Sequence, residues 1–367
     1  MTSHGVPRVS EVEPRSEQAS QKELKRIADY KELVEKVESR IRNQDYTVEV
    51  LGLTSELLKT NPEYYTIWNH RRRILQHQFA LVGGRGSSLG GDGNTAITRD
   101  DNTENLITKD LQFLVPLLLK FPKCYWMWNH RLWLLRVTSG LLPQTIARKF
   151  WSEELVLVSK MLSRDNRNFH GWGYRRHVVT TLESAALNPD AKGISMAREE
   201  FDYTTRMITT KMSNFSAWHS RSKLIPKLLD EAAAGDEERR KLLDKEIAWI
   251  QEALFTDPYD QSLWFYHQYL MCTFDTELAS QTMAPNITPN ERLKYISNEI
   301  EVVLEILEGD QDCKWIYQSL LQLSTIYKRL SGNWPSQASD REKWMVGLQR
   351  LDALRKGRWT ELAQVFQ

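Results

Sequence analysis

The chain has 367 residues, 41% of them hydrophobic and 26% charged, with a formal net charge of +1. That composition suits a chain with a sizeable core, and its near-neutral balance argues against nucleic acid, whose phosphates call for a basic surplus on one face. Cys124, Cys272 and Cys313 stand far apart with no Cys/His ligand spacing, so neither a disulfide framework nor a zinc site is written into the pattern, and a reduced, cytoplasmic setting fits.

Residues 1–20 are rich in Ser, Glu, Arg and Pro and are expected to form a flexible tail with no signal-peptide core. From Lys22 to Arg42 charges are dense among helix formers, which predicts a solvated first helix. A phrase then begins to recur. It reads Tyr64-Tyr65-Thr66-Ile67-Trp68-Asn69-His70-Arg71, then Tyr125-Trp126-Met127-Trp128-Asn129-His130-Arg131, then Phe169-His170-Gly171-Trp172-Gly173-Tyr174-Arg175. Two further copies are Phe215-Ser216-Ala217-Trp218-His219-Ser220-Arg221 and Gln261-Ser262-Leu263-Trp264-Phe265-Tyr266-His267, and a frayed sixth is placed at Trp315. The tryptophans follow one another after 60 residues (68 to 128), 44 (128 to 172), 46 (172 to 218) and 46 (218 to 264). A period near 45 marks one supersecondary unit stacked repeatedly, because each unit alone cannot bury its apolar face.

Each tryptophan segment is preceded by an amphipathic helix. Leu243, Ile247, Ile250 and Leu254 form one stripe; so do Leu293, Ile296, Ile300, Val303 and Leu307, and Trp151, Leu155, Val158 and Leu162. The breaks Asn61-Pro62, Phe121-Pro122, Asp165-Asn166 and Asp257-Pro258 join the two helices of a pair. The expected fold is all-α, a right-handed α-α superhelix of helical hairpins over residues 21–330. A Gly/Ser-rich flexible insertion near 82–100 interrupts it, and a C-terminal helix (about Asp340 to Lys356) and tail follow in 331–367. The apolar run Leu111–Phe121 contains Pro116 and falls short of the ~20 residues a membrane span needs. Val365-Phe366-Gln367 is no lipidation box.

Trp and the residue three later share a helix face. The pairs Trp68 and Arg71, Trp128 and Arg131, Trp172 and Arg175, and Trp218 and Arg221, with Trp264 and His267 in the fifth copy, are read as architecture. The indole fills the hairpin while the arginine covers it and bonds a carboxylate or a helix-end carbonyl. Function is then sought where one copy differs. Lys123 stands five residues before Trp128, where the other copies carry Glu63, Arg167, Ser213 and Tyr259.

The Trp-x-x-Arg phrase at this spacing resembles the α subunits of the protein prenyltransferases, over roughly Tyr46 to Leu330. The string Asp257-Pro258-Tyr259-Asp260-Gln261-Ser262-Leu263-Trp264-Phe265-Tyr266-His267 is most similar to the Rab-type geranylgeranyltransferases in compact, fungal form. The Asn-Glu-Ser-x-Trp-Asn-Tyr string of the α chain shared by farnesyltransferase and type I geranylgeranyltransferase is not found in its late repeats. The resemblance implies a crescent around a β subunit that holds the zinc, with geranylgeranyl diphosphate as co-substrate. It also implies a Rab GTPase, presented by a Rab escort protein, as acceptor. It places Lys123 against the diphosphate as an electrostatic stabiliser, with Tyr125 and His170 beside it and Arg167 as a further diphosphate candidate. Residues of other roles compete: a solvated lysine, a buried repeat aromatic at Tyr125, a structural histidine at 170. His4, in a His-Gly pair near the start, is a candidate self-blocking zinc ligand. The rival functions are the shared α chain of the other two transferases and a non-catalytic helical-repeat scaffold.

Overall fold

The computed structural model describes residues 16–84, 93–188, 193, 195–278, 280 and 282–366. The Ser16 hydroxyl accepts from the Ala19 N–H at 3.3 Å and opens α1 (Glu17–Arg42), which starts earlier than its charge density suggests and buries only Val37. Six hairpins follow among the described residues. They pair α2 (Val48–Thr60) with α3 (Tyr65–Gly84), α4 (Gly93–Lys120) with α5 (Tyr125–Leu141), and α6 (Gln144–Arg164) with α7 (Phe169–Glu183). The later three pair α8 (Ala197–Thr210) with α9 (Phe215–Glu231), α10 (Asp236–Thr256) with α11 (Gln261–Met271), and α12 (Pro289–Gly309) with α13 (Lys314–Ser331). Gly332, at φ +79°, ends α13 in the left-handed region where glycine carries no Cβ penalty. The single C-terminal helix expected is two, α14 (Ala338–Leu351) and α15 (Lys356–Ala363). No strand occurs among the described residues.

Two departures concern the insertion and the sixth repeat. Residues 93–100, expected in the Gly/Ser-rich insertion, already belong to α4, while residues 85–92 lie outside the described residues. The chain divides into two compact units, Met1–Ile194 and Ser195–Gln367. Within the first, α3, α5 and α7 pack in sequence order, each backed by its own first helix; within the second, α9, α11 and α13 do the same.

The reason for the recurring tryptophan is a hydrogen bond. Each indole N–H donates to the carbonyl six residues earlier, in the turn of its own hairpin: Trp68 to Pro62 (2.8 Å), Trp128 to Pro122 (2.9 Å) and Trp172 to Asn166 (2.9 Å). Trp218 donates to Met212 (2.8 Å) and Trp264 to Pro258 (2.7 Å). The ring is otherwise buried, so this bond satisfies its one polar atom where water cannot. In the sixth hairpin the donor is Tyr317, whose hydroxyl reaches the Gln311 carbonyl at 2.8 Å. Tyr317 stands four residues after the cap Cys313, as Trp128 does after Cys124, so Trp315 is not the repeat tryptophan.

The arginines bolt successive hairpins together. Arg71 on α3 donates to Thr54 and Ser55 of α2 and, through Nε at 2.8 Å, to Asp110 of α4. Arg131 holds the Leu111 carbonyl and Glu154 of α6; Arg221 holds Thr205 and, at 2.6 and 2.8 Å, both oxygens of Glu246 on α10. His267 meets Glu299 of α12 at 2.8 Å, and Arg175 donates to Ser159. The same acids take a second donor from the hairpin they belong to: His130 on Asp110, Tyr174 on Glu154, Tyr266 on Glu246. Burial penalises the charged form of Asp110, but Arg71 and His130 outweigh it and hold the carboxyl down to about 2. Breaking such a buried pair costs about 3–5 kcal/mol, because the remaining charge is stranded. These side chains are framework.

Candidate active site

The turns between helices carry polar side chains that the framework does not use. The turn from α4 to α5 is Phe121-Pro122-Lys123-Cys124, and its neighbours are Asn61-Pro62-Glu63-Tyr64 and Asp165-Asn166-Arg167-Asn168. They are stitched side by side. The Cys124 thiol donates to the Pro62 carbonyl at 3.4 Å, and the Asn168 amide donates to the Pro122 carbonyl at 2.9 Å. Asn168 also caps α7, its Oδ1 accepting from the Gly171 N–H at 3.2 Å. One buried side chain therefore ties the residue preceding Lys123 to the helix start that carries His170.

Lys123 is half-exposed on this edge, its Nζ 3.9 Å from Asp165 Oδ2. It borders a groove lined also by Glu63, Leu119, Phe121, Pro122 and Arg164. Tyr125, in the first turn of α5, is 54% exposed, so it is no buried repeat aromatic. Its ring lies 5.9 Å from His170 and 5.4 Å from Trp126, and Trp126 is 5.2 Å from Tyr65. Phe169, next to His170 in the chain, has its ring 3.9 Å from the imidazole and is 70% exposed. The result is a row of accessible rings along three successive helix starts, with one lysine at its edge. Burial pulls the His170 pKa below its usual value while Glu63 pulls it up, and the net lowering leaves the imidazole neutral at pH 7. Arg167 is exposed on the turn before α7.

Of the predicted site residues, Tyr125 and His170 meet ring to ring, and Lys123 and Arg167 sit on adjoining turns. His4 lies outside the described residues. The pattern reading missed Glu63 and Asp165, the acids that line the groove with Lys123. The signal was present, since both flank the Pro or Asn turn signature used to place the hairpins. Among the described residues no group of three or more His, Cys, Asp or Glu side chains could hold a metal ion. Lysine, tyrosine and neutral histidine instead offer N–H and O–H donors suited to phosphate oxygens. No described helix is long and apolar enough to cross a membrane.

Comparison with known proteins agrees with the repeat. Residues 48–78, 107–137, 151–182, 197–228 and 243–274 match the protein prenyltransferase alpha subunit repeat, which covers the first five hairpins and leaves out the sixth. The chain is similar to the geranylgeranyl transferase type-2 subunit alpha of Saccharomyces cerevisiae, 32% identical over 98% of this chain and 99% of that one. It is 33% identical to its Schizosaccharomyces pombe counterpart, over 98% of both. A solved structure of Candida albicans protein geranylgeranyltransferase-I complexed with GGPP superposes with a TM-score of 0.60 at 18% identity, over 93% of this chain and 91% of that one. At that identity the likeness shows the fold, an α-α superhelix of helical hairpins.

Proposed function

Because the chain belongs to the protein prenyltransferase α subunit family, we propose that it is the α subunit of a Rab geranylgeranyltransferase, active with a β subunit. The near-full-length likeness to two geranylgeranyl transferase type-2 α chains carries this reading. The complex transfers geranylgeranyl groups from geranylgeranyl diphosphate to C-terminal cysteines of a Rab GTPase presented by an escort protein, in the cytoplasm. Zinc belongs to the β subunit in this reading, since the described residues here offer no ligand set for it.

In the reaction a cysteine thiolate attacks the allylic carbon, the C–O bond breaks, and a thioether and free diphosphate form. Negative charge grows on the departing oxygens. A donor fixed beside them stabilises the transition state more than the ground state. Lys123 holds its ammonium at the exposed edge for this purpose, as stabiliser and not as base. Tyr125 and His170, packed against each other, add neutral donors along the same edge, and Arg167 extends the positive end. A pure scaffold would have no use for a lysine confined to one of the five clear copies.

The test is co-expression with a Rab-type β chain, followed by transfer of labelled geranylgeranyl diphosphate to a Rab with and without escort protein. Escort-dependent C20 transfer supports the reading. A pair active only with a farnesyl-type β chain would move it to the shared α chain, and no pairing with either would leave a scaffold.

A further inference from the structure

We propose that Asp165 is the positioning residue for Lys123, holding the ammonium over the groove without binding it so tightly that a diphosphate oxygen could not take it. This deepens the role given to Lys123 above and rests on it. The Asp165 backbone is fixed at both ends: its N–H donates to the Met161 carbonyl at 3.1 Å, and its own carbonyl accepts from the Asn168 N–H at 3.1 Å. Its Oδ2 is buried and has no hydrogen-bond partner. A buried carboxylate oxygen without a donor is a cost to folding that calls for an explanation.

Lys123 supplies one. Its Nζ lies 3.9 Å from that oxygen, close enough for Coulomb attraction and beyond the ~3.2 Å limit of an N–H···O bond. A lysine stem has many rotamers, and attraction toward one fixed oxygen narrows them. Because no hydrogen bond joins the pair, all three ammonium donors stay available, and a phosphate can recruit them without first breaking one. The equivalent first-helix ends of the two neighbouring turns are Asn61 and Phe121, neither of them charged; Asp returns at this place as Asp257 and Asp310, so what sets Asp165 apart is the lysine it faces.

The experiment measures kcat and KM of the assembled α/β pair for Asp165→Asn, Lys123→Ala and the double variant, with Asp165→Ala as a second acid-free form. The expected result is a kcat about tenfold lower for Asp165→Asn, an unchanged KM for the Rab substrate, and no further loss when Asp165→Asn is added to Lys123→Ala. A wild-type kcat in Asp165→Asn, with Lys123→Ala slow, would overturn the positioning role and leave that of Lys123 standing. Equal fold losses in both backgrounds, or failure of both acid-free forms to assemble, would make Asp165 merely structural. Wild-type turnover in Lys123→Ala would remove both roles together.

Discussion

Trp128 and Asn168, from successive hairpins, donate to one and the same oxygen, the Pro122 carbonyl, each at 2.9 Å. The arrangement recurs with Trp68 and Cys124 on Pro62, and with Trp264 and Cys313 on Pro258. A carbonyl oxygen has two lone pairs. One fixes the turn to its own hairpin and the other fixes it to the next, so within each unit the register of neighbouring hairpins is set by single atoms in their turns.

Asn168→Ala removes both the α7 cap and the bond to Pro122. The cap is worth about 1 kcal/mol and the second bond about 1 kcal/mol more. Urea unfolding is expected to show a loss of about 2 kcal/mol. Transfer should slow as well, since the turn that aims Lys123 is no longer tied to α7.

Lys123→Ala is expected to leave the heterodimer intact and slow transfer ~10²-fold, the usual effect of losing one preorganised donor. The loss should fall on kcat at saturating lipid. Wild-type turnover under those conditions would remove Lys123 from the chemistry.

Asp110 makes the stability of the first unit fall in acid. Its folded pKa of about 2 lies below the ordinary 3.8, so its contribution is complete above 3.8 and is lost as pH falls through about 2. That difference corresponds to about 2 kcal/mol. His130, whose pKa burial lowers against the pull of Asp110, works in the same direction over a higher range, losing its contribution as pH falls below 6.5. Asp110→Asn strands the Arg71 charge and should cost about 3–5 kcal/mol at neutral pH. It should also flatten the dependence of unfolding free energy on pH between 4 and 2.

Two glycines respond oppositely to the same methyl group. A Cβ on Gly52, in α2, meets nothing within 4 Å, so Gly52→Ala should stabilise by about 0.5–1 kcal/mol through reduced backbone entropy. A Cβ on Gly347 would stand 3.0 Å from two carbons of the Tyr317 ring, which its hydroxyl bond to Gln311 keeps in place. Gly347→Ala should destabilise by about 1–3 kcal/mol. Thermal unfolding of the two variants separates the cases.

The helical hairpins were legible because the stripes and the Trp-x-x-Arg phrase repeat together, and each reports the same burial requirement. The carboxylate partner of the arginine was foreseen as a type but not located. It could have been found, since Asp110, Glu154 and Glu246 each precede the His or Tyr that shares them by 20 residues. Residue type points to Trp315 in the sixth copy, but Tyr317 makes the turn bond there. The hydrogen bond to the turn depends on distance from the cap, and there a tyrosine makes it as well as a tryptophan. The reach of α4 back to Gly93 was obscured by glycine density, which signals a loop whichever residue a helix starts from. The acid opposite Lys123 could not be read from spacing, because the pair forms across two turns brought together only by stacking.

Cys124 follows Lys123 directly, and its thiol is spent on the Pro62 carbonyl. Burial, with Glu63 alongside, pushes its pKa up to about 11. An enzyme that alkylates cysteines must keep its own out of reach of the electrophile, and the neutral thiol is a far poorer nucleophile than the thiolate. Burial in the packing that aligns the two turns thus keeps this thiol covered and in its less reactive form.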